Sequence, residues 1–255
     1  MKASPAEALR AAVALLLLCA SPWLHAEDRW QRMDGFLRQA TSVGGYPGAV
    51  ASVDVDGRQV YQRAVGYQDI ARTTALQPDA IFRVYSMTKP IASVAVLMLM
   101  EQGKLSLDDP VVRYLPAFAG TRVVTGGDMQ HLRLAPLARP LTLRHLLTHT
   151  SGLAADATAY PLATALLEQA DLERARDLSE VAARLAKVPL AVQPGTRFNY
   201  EGANTELLAR IVEIVSGERF ADFLKDNILV PLGMQDTGFE VPADQRRRVV
   251  DLPTL

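Results

Sequence analysis

The chain has 255 residues, 49% of them hydrophobic and 22% charged, with a formal net charge of −1 at neutral pH. That is globular composition, with apolar material for one sizeable core or two small domains. It excludes a nucleic-acid-binding face, because the basic run Arg246-Arg247-Arg248 is too isolated to follow a phosphate backbone.

In chain order, Lys2 and Arg10 lead into the apolar run Ala11 to Ala20, and the small residue Ala26 precedes Glu27. A basic start, a short apolar run and a small residue before the cut read as a secretory signal peptide over residues 1–26. The run is short for a membrane span, although an uncleaved anchor is the alternative. The expected product is exported, periplasmic or secreted, with no stable membrane span after cleavage. Cys19 is the single cysteine, so cleavage would leave no thiol, disulfide or cysteine-bound metal.

Trp30, Met33, Leu37 and Ala40 recur at helical spacing and predict an amphipathic helix over 27–43. Gly44-Gly45 and Pro47-Gly48 end it. Ala49 to Val55 alternates as a strand, Asp56-Gly57 is a hairpin turn, and Arg58 to Gly66 is the returning strand. Helices are expected near 86–102, 142–148, 160–170, 179–187, 204–216 and 218–229, with Thr142 and Ser179 as N-caps and Gly103 and Gly217 as stops. The stretch from Ala117 to Pro140, with Gly126-Gly127 and little periodicity, reads as a loop. A hairpin followed by helices predicts an α+β fold, with 27–85 on the sheet side and 86–230 mainly helical. A lone hairpin is not a stable sheet, and Val249 to Leu255 offer it no clear partner strands. The sequence therefore reads as incomplete at its C-terminal end.

Ser86-Met87-Thr88-Lys89 places a hydroxyl and an amine three residues apart at the head of the apolar helix-forming run Ile91 to Gln102. Both would lie on one helical face, and Pro90 fixes the helix start nearby. Ser86 would then sit at the positive end of the helix dipole. Serine becomes a nucleophile when a base takes its proton, and lysine can be that base once its pKa is lowered. The competing reading makes Ser86 a helix cap and Lys89 a surface lysine.

Longer stretches carry a resemblance. Phe82-Arg83-Val84-Tyr85-Ser86-Met87-Thr88-Lys89, with Leu99 to Pro110, resembles the serine β-lactamase and penicillin-binding-protein superfamily, in particular its class C β-lactamase-like proteins and related esterases. Leu141 to Leu153 resembles a second stretch of that family, and Pro194 to Tyr200, running on through Leu207-Leu208 to Gly217, a third. The three are collinear and cover most of the chain from about Gly48 to Gly238.

The resemblance implies a β-lactamase/transpeptidase-like fold, an antiparallel sheet flanked by helices, whose C-terminal strands are missing here. It also implies an acyl-enzyme on Ser86, with Lys89 buried behind it as base. Tyr200 would be the proton relay to the leaving group, and the Ser86 backbone N–H half of an oxyanion hole. Without the flanking matches, Tyr200 would be read as a tyrosine packed on Phe198. The family often has Tyr-x-Asn where this chain has Tyr200-Glu201-Gly202, and Gly202 cannot bind the amide of a β-lactam side chain. That departure tilts the reading toward esters. The family's closing Lys-Thr-Gly strand, or its substitute, does not follow Tyr200.

His145 and His149, four residues apart, could face a metal, but no third ligand accompanies them, and the resemblance makes them structural, with His149 in the turn before Ser151-Gly152. The leading reading is an exported serine hydrolase on small esters or lactones, needing no cofactor. A β-lactamase or D-alanyl-D-alanine carboxypeptidase acting on a β-lactam or peptide is the second. A non-catalytic or slowly turning over penicillin-binding or sensor module is the third.

Overall fold

The computed structural model describes residues 30–42 and 45–252. The leader, Cys19 and the first residues of the predicted 27–43 helix lie outside them. The chain divides into two compact units, one of residues up to Arg83 together with those from Val241, the other spanning Val84–Glu240.

In the first unit, helix α1 covers residues 30–42 and precedes the antiparallel pair β1 (Gly48–Val55) and β2 (Arg58–Gly66). The hairpin register pairs Gly48 with Gly66 and Val55 with Arg58, slipping between Val53 and Asp54. Asp56 and Gly57 both take positive φ, 50° and 72°, which a tight two-residue hairpin turn requires. Trp30 of α1 stacks on Tyr61 of β2 at 4.6 Å, and the Tyr61 hydroxyl donates to Asp34. The late chain does contribute to this unit: Val249 bridges Ile81 in parallel, with Ile81 N–H donating to Arg248 O at 2.8 Å and Val250 N–H to Ile81 O at 2.9 Å. This bridge reaches Ile81 and not the hairpin, which remains two-stranded among the described residues.

The second unit is mainly helical and centres on one helix. α2 (Thr88–Glu101), α3 (Leu143–Leu147), α4 (Pro161–Gln169), α5 (Leu178–Leu185), α6 (Ala203–Ser216) and α7 (Phe220–Leu224) follow in order. Leu207, Leu208, Ile211 and Val212 put one apolar stripe on α6 and are buried, and the helix packs against α2, α3, α5 and α7. Full burial of a leucine such as Leu207 is worth about 2–3 kcal/mol. Gly217, at φ 80°, ends α6 in the left-handed conformation that stops a helix.

Three local expectations change. The segment read as a loop from 117 to 140 contains a second hairpin, β3 (Arg122–Gly127) with β4 (Leu132–Pro136), and Val123 of β3 also bridges Leu190. The cap of α5 is Asp177, whose carboxylate accepts from Glu180 N–H at 2.8 Å, rather than Ser179. The helix predicted over 218–229 is the short α7 continued by a π-helical turn, Lys225–Leu229. Thr142 is the cap of α3 as expected, and His145 completes the reciprocal pair by accepting the Thr142 N–H on Nδ1 at 3.2 Å. His145 thus has a capping job. Among the described residues, no helix is long and apolar enough to cross a membrane.

Candidate active site

Ser86 occupies a short 3-10 turn, Tyr85–Met87, that runs directly into α2. Tyr85 holds φ 41°, a left-handed conformation unfavourable for a bulky aromatic residue, immediately before the serine. The residue at the N-cap of α2 is Met87 and no side chain caps the helix, so Ser86 is not a capping serine. Its exposed Oγ instead accepts a hydrogen bond from Lys89 Nζ at 3.0 Å. The i,i+3 geometry that the spacing predicts is therefore present. Lys89 is half-buried, not buried as the resemblance implied: its amine emerges at the head of α2 beside two exposed side chains, Ser86 and Tyr200.

Two backbone segments bring Tyr200 to this pair. Gly195 N–H donates to Thr150 O at 2.7 Å, Asn199 N–H to His149 O at 2.8 Å, and Ala191 N–H to Gly152 O at 2.7 Å. The second and third family-like stretches are thereby zipped together along their length. Gly152 has φ 95°, and a Cβ there would stand 2.2 Å from Val192 O, so this close approach needs glycine. Lys89 Nζ lies 4.9 Å from the Tyr200 ring centroid. Hydrogen bonding from Ser86, then from Lys89, holds the Tyr200 phenol below its ordinary value near 10, with the Lys89 charge adding to the effect. Ser86, Lys89 and Tyr200 meet in one place.

Tyr200 does not simply pack on Phe198. Both rings lean on His149, Tyr200 tilted at 4.8 Å between centroids and Phe198 edge-on at 6.0 Å. His149 holds φ 53°, and its Nδ1 accepts from Glu201 N–H at 3.2 Å, with Asn204 Nδ2 at 3.3 Å. Two donors aimed at Nδ1 select the neutral tautomer with its proton on Nε2. Burial, then the nearby Lys89 charge, pushes the imidazole below 6.5. Asn204 is fully buried, and its amide also donates to Glu201 O at 3.2 Å. It therefore does not stand in for the asparagine that Gly202 replaces. Glu206, in the first turn of α6, keeps one carboxylate oxygen buried without a hydrogen-bond partner among the described residues. Burial, then the Glu201 charge, raises its pKa, and Lys89 opposes this.

Spacing does not single out His149 and Glu206. The i,i+4 spacing of His145 and His149 suggested a metal pair, yet the two rings serve different ends, one capping α3 and one supporting Tyr200. The one signal in the sequence is that His149 falls within the second family-like stretch. Among the described residues, no group of three or more His, Cys, Asp or Glu could hold a metal ion.

Comparison with known proteins bears on the family and the fold. The family described as Beta-lactamase matches residues 33–255. Esterase EstB of Burkholderia gladioli is 38% identical over 232 residues, covering 89% of this chain and 55% of that protein. The lovastatin esterase of Penicillium rubens is 33% identical over 229 residues, covering 86% and 56%. Among solved structures, EstCE1, described as a hydrolase with promiscuous acyltransferase activity, superposes with a TM-score of 0.73 at 27% identity, over 89% of this chain and 57% of that one. The chain spans about half the length of the curated relatives it matches.

Proposed function

The chain belongs to the Beta-lactamase family, and on that premise we propose that it is an exported serine hydrolase acting on small esters or lactones through an acyl-enzyme on Ser86. The observation that carries this is the contact of Lys89 Nζ with Ser86 Oγ at 3.0 Å, beside a phenol whose proton both residues loosen. Export rests on the apolar leader that begins the sequence.

The residues divide the work as follows. Lys89 takes the Ser86 proton as Oγ adds to the ester carbonyl. The tetrahedral intermediate collapses with rupture of the bond to the alkoxy group, which leaves with a proton from Tyr200. Lys89 returns its proton to the Tyr200 phenolate across the short gap between them. Water, activated by the same pair, then releases the acid from Ser86. A phenol already biased toward its anion receives and donates this proton at lower cost than a free tyrosine. Ser86 also lies at the head of α2, where the helix dipole favours developing negative charge.

Gly202, and the inward-turned amide of Asn204, favour esters over β-lactams, because neither can hold a β-lactam's side-chain amide. The relatives named as esterases support the same choice. The test is p-nitrophenyl butyrate hydrolysis measured beside acylation by a fluorescent penicillin. A burst and steady turnover with the ester, and little with penicillin, is expected. Penicillin turnover without ester turnover would move the protein to the β-lactamase or carboxypeptidase reading. Acylation with no release would make it a sensor.

A further inference from the structure

We propose that His149 is the positioning residue for the Tyr200 hydroxyl, and that it acts only as the neutral imidazole; the inference rests on the reading of Ser86, Lys89 and Tyr200 as the reacting set. Tyr200 is 56% exposed, so little else confines its ring. Its tilted ring contact with His149 at 4.8 Å sets where the phenol stands relative to Lys89 Nζ and Ser86 Oγ. His149 is itself fixed from several sides. Its carbonyl accepts Asn199 N–H, its Nδ1 accepts Glu201 N–H, and Phe198 abuts its edge. Asn199 and Glu201 flank Tyr200, so the histidine grips the backbone on both sides of the tyrosine as well as its ring. A non-glycine residue held at φ 53° at this point fits a position fixed by its function.

Protonation would undo the grip. A proton on Nδ1 would set N–H against the Glu201 N–H and the Asn204 amide, and would add a cation beside Lys89. The charged groups facing this corner are Lys89 from α2, Glu201 ahead of α6 and Glu206 in its first turn, with Tyr200 the remaining titratable neighbour. Burial favours the neutral imidazole, so the grip holds at neutral pH and is lost only in acid.

Two variants of the full chain test this. Asparagine tolerates the left-handed backbone that His149 holds, so His149→Asn removes the ring without adding strain. It should move the ultraviolet titration of Tyr200, read as the difference from the same protein carrying Tyr200→Phe, up toward the free value of 10. It should also slow fluorophosphonate labelling of Ser86 about tenfold or more, as for a misplaced catalytic group. His149→Phe keeps a ring but no proton. It keeps the ring contact but loses the Nδ1 acceptor, so it should raise the phenol titration less than His149→Asn does and lose one proton's steepness from the acid limb of the labelling rate below pH 6.5. An unchanged phenol titration in His149→Asn, or an unchanged acid limb in His149→Phe, would overturn the inference. A parent chain that never labels would overturn the Ser86 reading instead, and the phenol titration would still decide the role of His149.

Discussion

At the level of single residues, the pair Ser86 and Lys89 was legible because a helix makes i and i+3 neighbours whatever else the fold does. Tyr200 was not legible from spacing, since it is brought to the pair by hydrogen bonds between two loops, and only its likeness to a family stretch singled it out. His149 was legible as part of a motif but not as a support for Tyr200, because neither a positive φ nor a ring contact is written in residue spacing. Substitution separates the roles. Ser86→Ala should abolish covalent labelling while leaving the thermal midpoint within a degree or so, because the hydroxyl is exposed and caps nothing. Lys89→Ala should lower the acylation rate at neutral pH by ~10²–10⁴-fold, the usual contribution of a positioned base. Acylation kinetics unchanged by that substitution would remove Lys89 from its role.

At the level of elements, helices were the legible part and short irregular strands were not. The apolar stripe of α6 and its glycine stop read directly from sequence, and they describe the helix that α2, α3, α5 and α7 pack against. The β3–β4 hairpin escaped because its strands are short, its register slips between Val124 and Gly126, and Gly126 and Gly127 sit inside it rather than in its turn. Glycine pairs ordinarily punctuate chains, so this one read as loop. The cap of α5 was displaced by two residues because Asp177 and Ser179 are both good caps, and Asp177 reaches the Glu180 N–H. The caps and core carry different amounts of stability. Thr142→Ala should cost about 1 kcal/mol in urea unfolding, as for loss of one helix cap. Leu207→Ala, a fully buried position, should cost ~2–5 kcal/mol. A cap loss larger than the core loss would reverse the assignment of what holds α3 and α6.

At the level of the whole molecule, most of the ionisable groups lower stability on the acid side, with Glu206, whose carboxyl pKa is raised by burial, opposing them. Asp108, bound through both oxygens by Arg144, and Asp109, bound by Tyr114, are held below the usual carboxylate value, and Glu180 is held down to about 2 by Arg184 and Arg176. Their contribution is present above their unfolded values and is lost as pH falls through the folded ones. His145 and His149, depressed mainly by burial, act in the same direction from 6.5 downward, since the unfolded chain takes up the proton first. Tyr61 and Tyr114, raised to about 12, act at the other end, where stability is lost as pH rises above 10. The urea midpoint should therefore hold from pH 7 to 9 and drop in two stages on acidification, and a midpoint that rises below pH 6 would contradict these assignments. The α+β class was legible, because hairpin and helix periods differ so plainly, whereas the bridge between Ile81 and Val249 joins residues too distant in sequence for any local pattern to reveal. The central claim is that Ser86 is a nucleophile armed by Lys89 and Tyr200, and intact-protein mass after incubation with a fluorophosphonate tests it most directly. One added phosphonyl group, mapped to Ser86 and absent in Ser86→Ala, is the predicted result; an unmodified mass, or a label that survives the substitution, would contradict it.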